Sequence, residues 1–449
     1  MIISMTRSGL RLQGTASATP FASEEPTTGW PWRIMNHKRT LVTVGMYAPS
    51  SRLETAGGLY YYRFSLATSK VLSVVSFADG FHVSPDAARA NLNEPFESRI
   101  IPRAHWSRTL VGDFVQTRLR ELSLISLDRG FIHGIRSDSD FVSTIRSASI
   151  VELQWTEYFG LAPLVRNMNR QAAVVGVVHD VVLQRIEREV ARRGFLYRCS
   201  AGHVRVKMYS RRERRLLSYL DHVVVFSEKD QSLVSDICKD AVCHIIPPEV
   251  PSYAVSPTEK YIVLFEGALS RPENVDAVRF LVGTIWPDVL RARPDAILRV
   301  AGSGAPEDLN DLLEAHPSIH ATGRLANMAD AYAGISLCVA PLQLGAGLKF
   351  KSASAILSGV PLVSTTCGIE GIPFAGDIWC VADDAAKFAS AIVSALNERG
   401  RAWAEAEQLK AAASREFGSD ALQARVAQLY NEILQGMEDD ANGASRSER

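Results

Sequence analysis

Long apolar runs are missing from this 449-residue chain. None approaches the roughly 18 to 20 residues that a bilayer-spanning helix needs. The expectation is a cytoplasmic protein that is not integral to a membrane, with at most a peripheral hold on its inner face. An excess of one charge is missing too. Lysine plus arginine number 49 and aspartate plus glutamate 49, so no whole-chain field draws the protein to nucleic acid, and none is expected as a partner. Cysteine is scarce: Cys199, Cys238, Cys243, Cys338, Cys367 and Cys380 include no C-x-x-C pair, and several sit inside apolar runs. They read as reduced thiols, neither a zinc site nor a disulfide frame. The dinucleotide fingerprint G-x-G-x-x-G is also incomplete. Gly302-Ser-Gly304 begins one, but Glu307 stands where the last glycine belongs, which weakens an oxidoreductase reading.

What the chain does have is apolar residues, 47% of the total, enough at this length for two cores of ordinary domain size. Short apolar runs alternate with helical spacing throughout. Strands are expected at Leu41 to Met46, Val71 to Phe77, Ser149 to Leu153, Ala172 to Val178, His222 to Phe226 and His244 to Pro247. After a proline-rich break from Pro247 to Pro257 the alternation restarts at Tyr261 to Phe265 and Ala296 to Ala301. This is the pattern of an α/β protein with two Rossmann-like, doubly wound domains. The expected organisation is a disordered segment 1–38, domains at 39–250 and 256–400, closing helices at 401–436, and a disordered tail at 437–449. In the last helix Leu422, Val426, Leu429, Tyr430, Ile433 and Leu434 form one apolar stripe, which is a packing face. Residues 80 to 140 yield no detailed assignment.

The stretch richest in chemistry is PLQLGAGLKFKSASAILSGVPLVSTTCGIEGI, residues 341–372. A buried strand is expected before it, Gly345-Ala-Gly347 as a turn, and a helix from Leu348 to Ser358 that Gly359 ends. A glycine-rich turn feeding a helix N-terminus presents unpaired N–H groups to an anion. Lys349 and Lys351 add cations where they oppose the helix dipole, so local stability does not explain them and an anionic ligand would. The bland alternative is a plain connection with two solvated lysines. Upstream, Gly57-Gly58 lies in a loop between the first strand and the first helix. His179-Asp180 stands at a strand's carboxyl end, where open α/β sheets bind ligands. Residues 185–215 hold eleven Arg or Lys against three Glu. That is either a solvated helix face or a contact with an anionic leaflet.

Together, Gly-x-Gly-x-Lys-x-Lys, the helix, Gly-Val-Pro-Leu-Val-Ser-Thr and Gly368-Ile369-Glu370-Gly371 resemble the donor-site segment of family 4 glycosyltransferases of the GT-B fold. VVGVVHDVVLQRIERE resembles that family's N-terminal half, and LFEGALSRPENVDAV the start of its C-terminal domain. The resemblance implies two Rossmann-like domains facing a cleft, with a final helix crossing back to the first. It also implies sugar transfer, with retention and no metal, from a nucleoside-diphosphate donor to a glycan, lipid-linked or small-molecule acceptor. His179, Asp180, Lys349 and Lys351 would carry the chemistry. Gly57, Gly58, Gly267, Arg271, Gly345, Gly347, Ser354, Gly368, Ile369, Glu370 and Gly371 would hold the donor, the last four partly through backbone N–H groups.

The chain also departs from that family. Ala346 and Ser354 replace its paired glutamates, the second of which holds the ribose, and Ala268 and Glu273 stand near its usual phosphate-binding cations. A degenerate, non-catalytic binding or scaffold protein is therefore a competing expectation. A nucleotide-sugar epimerase or hydrolase on the same fold is another.

Overall fold

The structure, a computed structural model, describes residues 39–51, 56–80, 95–101, 115, 127–191, 193–256, 258–345 and 347–447. The segment 1–38, with the expectation of disorder there, lies outside these residues, as does Ala346.

Two parallel sheets carry the fold. The first is built from Thr40–Gly45 (β1), Ser73–Asp79 (β2), Glu97–Ile101 (β3), Ile150–Gln154 (β4), Ala173–Val177 (β5), His222–Val225 (β6) and Cys243–Ile245 (β7), in the spatial order β3-β2-β1-β4-β5-β6-β7. The second contains Ile262–Glu266 (β8), Ile297–Ala301 (β9), Ile319–Gly323 (β10), Leu337–Ala340 (β11), Leu362–Ser364 (β12) and Cys380–Val381 (β13), in the order β10-β9-β8-β11-β12-β13. Both are doubly wound Rossmann-like sheets, and the architecture is GT-B. The central strands are buried on both faces, which is why they read as near-continuous apolar runs, whereas the edge strands β3 and β10 are only partly covered. Strand order reverses at β1/β4 in the first sheet and at β8/β11 in the second. A crevice opens at such a switch point beyond the carboxyl ends of the strands.

Two packed clusters flank each sheet. The cluster beneath β1, β4 and β5 is completed by the last helix, Ser419–Ser447, whose Leu422, Val426, Leu429, Tyr430 and Ile433 meet Leu41, Tyr60, Phe64 and Val175. The chain thus returns to its first domain. A buried carboxylate fixes the join. On β4, Glu152 Oε1 accepts from Thr43 Oγ1 at 2.9 Å and Gln154 Nε2 at 2.7 Å, and Oε2 accepts from the Tyr430 hydroxyl. Burial pushes the Glu152 carboxyl up, and these three donors oppose that.

Four expectations need correction. Gly57 and Gly58 lie in the first turn of the Ala56–Ser69 helix, not in a loop. The tail from Met437 continues the terminal helix to Ser447, because Met437 still packs on the lower cluster. The unassigned 80–140 region supplies edge strand β3 and the helices Arg129–Ser137 and Ser139–Ser147, capped by Asp128 and Asp138. Lastly, the basic stretch is two helical runs, Val182–Ala191 and one from Phe195 through a π-helical turn, Arg198–Gly202, into His203–Leu217, the first turns of the second forming an exposed tip.

Tyr430→Phe keeps the packing but removes the sole donor to Glu152 Oε2 among the described residues. Urea unfolding is expected to show a loss of about 1–3 kcal/mol, the cost of a buried acceptor left unsatisfied.

Candidate functional site

The two switch points face each other, and His179, Asp180, Lys349 and Glu370 meet there. In the second domain β11 runs into the turn, where Gly345 has φ 128° and Gly347 φ 70°. Gly347 has no room for a side chain, since a Cβ there would lie 2.7 Å from Asp180 Oδ1 of the first domain. The helix begins at Phe350, so Lys349 is its cap residue and not a member of the first turn. Lys349 is only 6% exposed. Its Nζ donates to Gly347 O at 2.6 Å and lies 3.3 Å from Glu370 Oε2. Burial lowers its pKa and Glu370 opposes the shift. Two residues on, Lys351 Nζ donates to Asn274 Oδ1 at 2.6 Å and sits over the Phe265 ring at 4.6 Å. Burial lowers its pKa and raises that of Glu266, each moderating the other.

Glu370 is the electrostatic centre. Its carboxylate takes Arg188 in a two-pronged pair, Lys229 Nζ at 2.7 Å and Lys349 Nζ at 3.3 Å. Burial alone would raise its pKa, but Arg188, Lys229 and Lys349 together hold it down to about 2. Arg188 and Lys229 belong to the first domain. Arg188 also donates to Gly345 O in the turn itself. Asp180 is the counterpart on the first domain. Burial raises its carboxyl to about 6 against the pull of Arg185, Lys349 and Arg271.

His179 is held by a chain of hydrogen bonds that also sets its tautomer. Gln154 Nε2 is spent on Glu152, so Gln154 Oε1 faces His179 Nε2 at 2.8 Å and that nitrogen must carry the proton. Nδ1 is then a bare acceptor, buried and without a partner among the described residues. Burial depresses the imidazole pKa to about 3. The ring stacks on Trp155 with centroids 4.3 Å apart and planes 12° from parallel. Trp155 alone among the described non-glycine residues has positive φ, at 63°. Its N–H bonds Val177 O at 3.1 Å, so β5 holds the strained turn in place. Gly57 lies against both rings, its would-be Cβ 3.3 Å from His179 Nδ1.

Other expected residues are placed differently. Gly267 ends β8, where a Cβ would meet Lys351 Nζ at 2.7 Å. Arg271 caps the Pro272–Phe280 helix, largely exposed and 3.7 Å from Glu273. At Gly368 a Cβ would lie 2.1 Å from Ala340 O, and Ile369 is buried in the core. The N–H groups of Gly368, Ile369 and Glu370 are already bonded to Thr365 Oγ1, Thr365 O and Cys367 O. They are therefore engaged in a turn and are not presented to a ligand, which corrects that expectation. Gly371, at φ 81°, packs on Leu348. Ser354 stands apart: it is buried, and its hydroxyl donates to Pro251 O of the interdomain linker at 2.7 Å. Sequence reasoning missed Arg188, Lys229, Gln154 and Trp155. Arg188 was masked by the ten other cations of its stretch, and the others carry no motif.

Residues 260–398 match the sequence family described as Glycosyl transferases group 1. That segment coincides with the second sheet and its turn. A protein from the cps region of Klebsiella pneumoniae, uncharacterised and of 44.6 kDa, is 28% identical over 141 residues, which are 29% of this chain and 36% of that protein. The chain thus matches about a third of that relative's length. Among solved structures, sucrose-phosphate synthase from Thermosynechococcus elongatus superposes with a TM-score of 0.65 at 14% identity, covering 89% of this chain and 100% of that one. Anabaena HepE, solved with UDP and glucose, gives 0.61 at 12% with the same coverages. A point mutant of TarM from S. aureus, solved with fondaparinux, alpha-GlcNAc-glycerol and UDP, gives 0.59 at 10%, covering 88% and 100%. At these identities the likeness establishes the shared fold.

Two outcomes test the electrostatics. Glu370→Gln frees three cations of their shared carboxylate, so inorganic diphosphate is expected to bind several-fold tighter by calorimetry while the melting temperature falls. An unchanged affinity would show that the cations do not face the ligand. The second is a pH effect. Asp180 is neutral below about 6 and ionised above it, where it repels an anion at the Gly347 turn. The affinity of wild type relative to Asp180→Asn should be near one at low pH and several-fold weaker above pH 7. Taking the ratio removes the nucleotide's own titration.

Proposed function

We propose that this chain is a family 4-like glycosyltransferase that moves a sugar from a nucleoside-diphosphate donor to a glycan, lipid-linked or small-molecule acceptor, with retention and without a metal. The observation that carries the reading is the meeting of the glycine turn with Lys349 and Lys351 on one side and His179 with Asp180 on the other. Among the described residues no cluster of three or more His, Cys, Asp or Glu has metal-binding geometry. In this reading the diphosphate occupies the turn. Negative charge growing on the leaving group is stabilised by Lys349, Lys351 and the helix N-terminus. His179, neutral and ring-stacked, orients the sugar through its ring and backbone. HepE with UDP and glucose, and TarM with UDP and a glycan, support a donor and acceptor of these classes.

One observation favours a second reading, a nucleotide-free binding protein. Lys349 is already neutralised by Glu370, and Ser354, at the position of the ribose-holding glutamate in the resembled family, is tied to the linker.

A thermal-shift panel of nucleotide sugars and nucleoside diphosphates separates the two. A ligand at 100 times its dissociation constant adds about 2.7 kcal/mol of stability. Lys349→Ala and Lys351→Ala should each weaken nucleoside diphosphate binding by about 10- to 150-fold, the loss of one charge-assisted hydrogen bond. If no nucleotide stabilises the wild type, the binding-protein reading replaces the transferase one.

A further inference from the structure

The tip between the helices Val182–Ala191 and His203–Leu217 does what a soluble surface avoids. Phe195 is 73% exposed, Leu196 83%, Tyr197 36%, and Val204 on the next turn 57%. These four make up half of the eight large hydrophobic residues that stand exposed among the described ones, and they lie within ten positions of one another. The tip is held in shape: Gly202 is buried within the helical run Phe195–Leu217, and its would-be Cβ lies 2.6 Å from Val190 Cγ1 and 2.9 Å from Tyr197 O, so glycine lets this run pack closely on the Val182–Ala191 helix. The apolar side chains therefore project from a fixed platform. Contiguous exposed apolar surface of this kind marks a contact site.

Charge identifies the partner. Residues 190–212 contain Arg192, Arg193, Arg198, Arg205, Lys207, Arg211 and Arg212, and no acidic residue. Glu189, just before this span, pairs with Arg205 at 2.8 Å and lies 3.9 Å from Arg193. Arg193 also lies over the Tyr197 ring at 5.8 Å. Two copies of this chain docking through the tip would bring like charges together, which disfavours self-association. An apolar wedge ringed by cations matches the acyl boundary and headgroup layer of an anionic bilayer. We propose that residues 193–207 are a membrane-docking wedge, with Phe195 and Leu196 entering the bilayer and Arg193, Arg198 and Lys207 meeting anionic headgroups. The same Val182–Ala191 helix carries Arg188, which touches Gly345 and Glu370. Docking would therefore set the cleft beside the surface where a lipid-linked acceptor lies. The contact itself stands independently of the sugar chemistry.

The test is sedimentation of the full chain with vesicles of phosphatidylcholine alone and of phosphatidylcholine and phosphatidylglycerol in equal parts. Binding to the mixed vesicles only is expected, and its loss at about 1 M salt, where the Debye length falls to about 3 Å. Phe195→Ser with Leu196→Ser should weaken it about tenfold or more, and Arg193→Glu with Arg198→Glu should abolish the preference for anionic lipid. Phe195→Trp reports insertion directly, by a blue shift of its emission on mixed vesicles. All of these positions are exposed, so melting temperatures should not change. Equal binding to both vesicles, no binding at all, or full binding by the double serine variant overturns the proposal. So does a wild-type dimer in light scattering that the double serine variant converts to monomer, since the wedge is then a self-association surface.

Discussion

One carboxylate holds the cleft together. Glu370 comes from the second domain, two of its three cationic partners come from the first, and the third is the lysine that caps the helix after the glycine turn. Such a cluster is cohesive only while every member is present. Taking out the carboxylate leaves three cations facing one another, and taking out a cation leaves buried charge short of a partner. The folded pKa of about 2 states the same fact from the acid's side: its contribution to stability is complete above the ordinary glutamate range and is lost as pH falls toward 2. Domain contact and the charge at the glycine turn are therefore one quantity in this protein. An anion arriving at the turn competes with Glu370 for Lys349, and in doing so it acts on the contact between the domains.

The first domain prepares its half of the cleft by a different device. Glu152 is buried in the middle of β4, and the terminal helix reaches across the molecule to give it Tyr430. Glu152 in turn takes the Gln154 amide, which fixes the Gln154 oxygen toward His179 and so fixes which imidazole nitrogen is bare. The catalytic histidine expected from sequence is thus oriented by a helix more than two hundred residues downstream. With its pKa near 3 it does not serve as a proton donor near neutrality. Asp180, near 6, is the group beside it that changes charge in the physiological range.

The alternation of apolar runs was enough to read the inner strands of both sheets, because strands buried on both faces must be continuously apolar, but the partly exposed edge strands β3 and β10 carry no such run. Glycine turns and strand-end residues located the cleft, since the polar groups of an open sheet converge at its carboxyl edge. What the sequence could not show was pairing across the domains. Arg188 is one cation in a stretch of eleven, and only the fold selects it as the one that reaches Gly345 and Glu370. Gly57 and Gly58 read as loop because glycine is a poor helix former, yet they lie in a helix whose residue 57 packs closely against Trp155 and His179. The N–H groups of residues 368–370 read as free because a turn's internal bonding is invisible in composition. Residues 195–197 are helical, as the basic stretch suggested, but their exposure was not legible because three apolar residues vanish among so many arginines.

Ser354 shows how a departure from a family pattern can be built into structure. Its hydroxyl is bound to Pro251 O, Ser358 Oγ accepts from Tyr253 N–H at 2.9 Å, and Val250 N–H bonds Phe417 O at 3.1 Å. The proline-rich linker is therefore docked along the helix whose N-terminus faces the ligand. A carboxylate at 354 would lose the bond to Pro251 and bring a second buried acid onto the helix that already holds Lys351, itself coupled to Glu266. The serine serves the linker contact. The buried acid of this region is instead Glu266, at the end of β8, which opposes the burial-driven fall in the Lys351 pKa. Charge at the phosphate turn and the position of the linker are joined through a single helix of eight residues, Phe350–Leu357. The linker contacts at Ser354 and Ser358 and the lysines at the helix start thus share one rigid element.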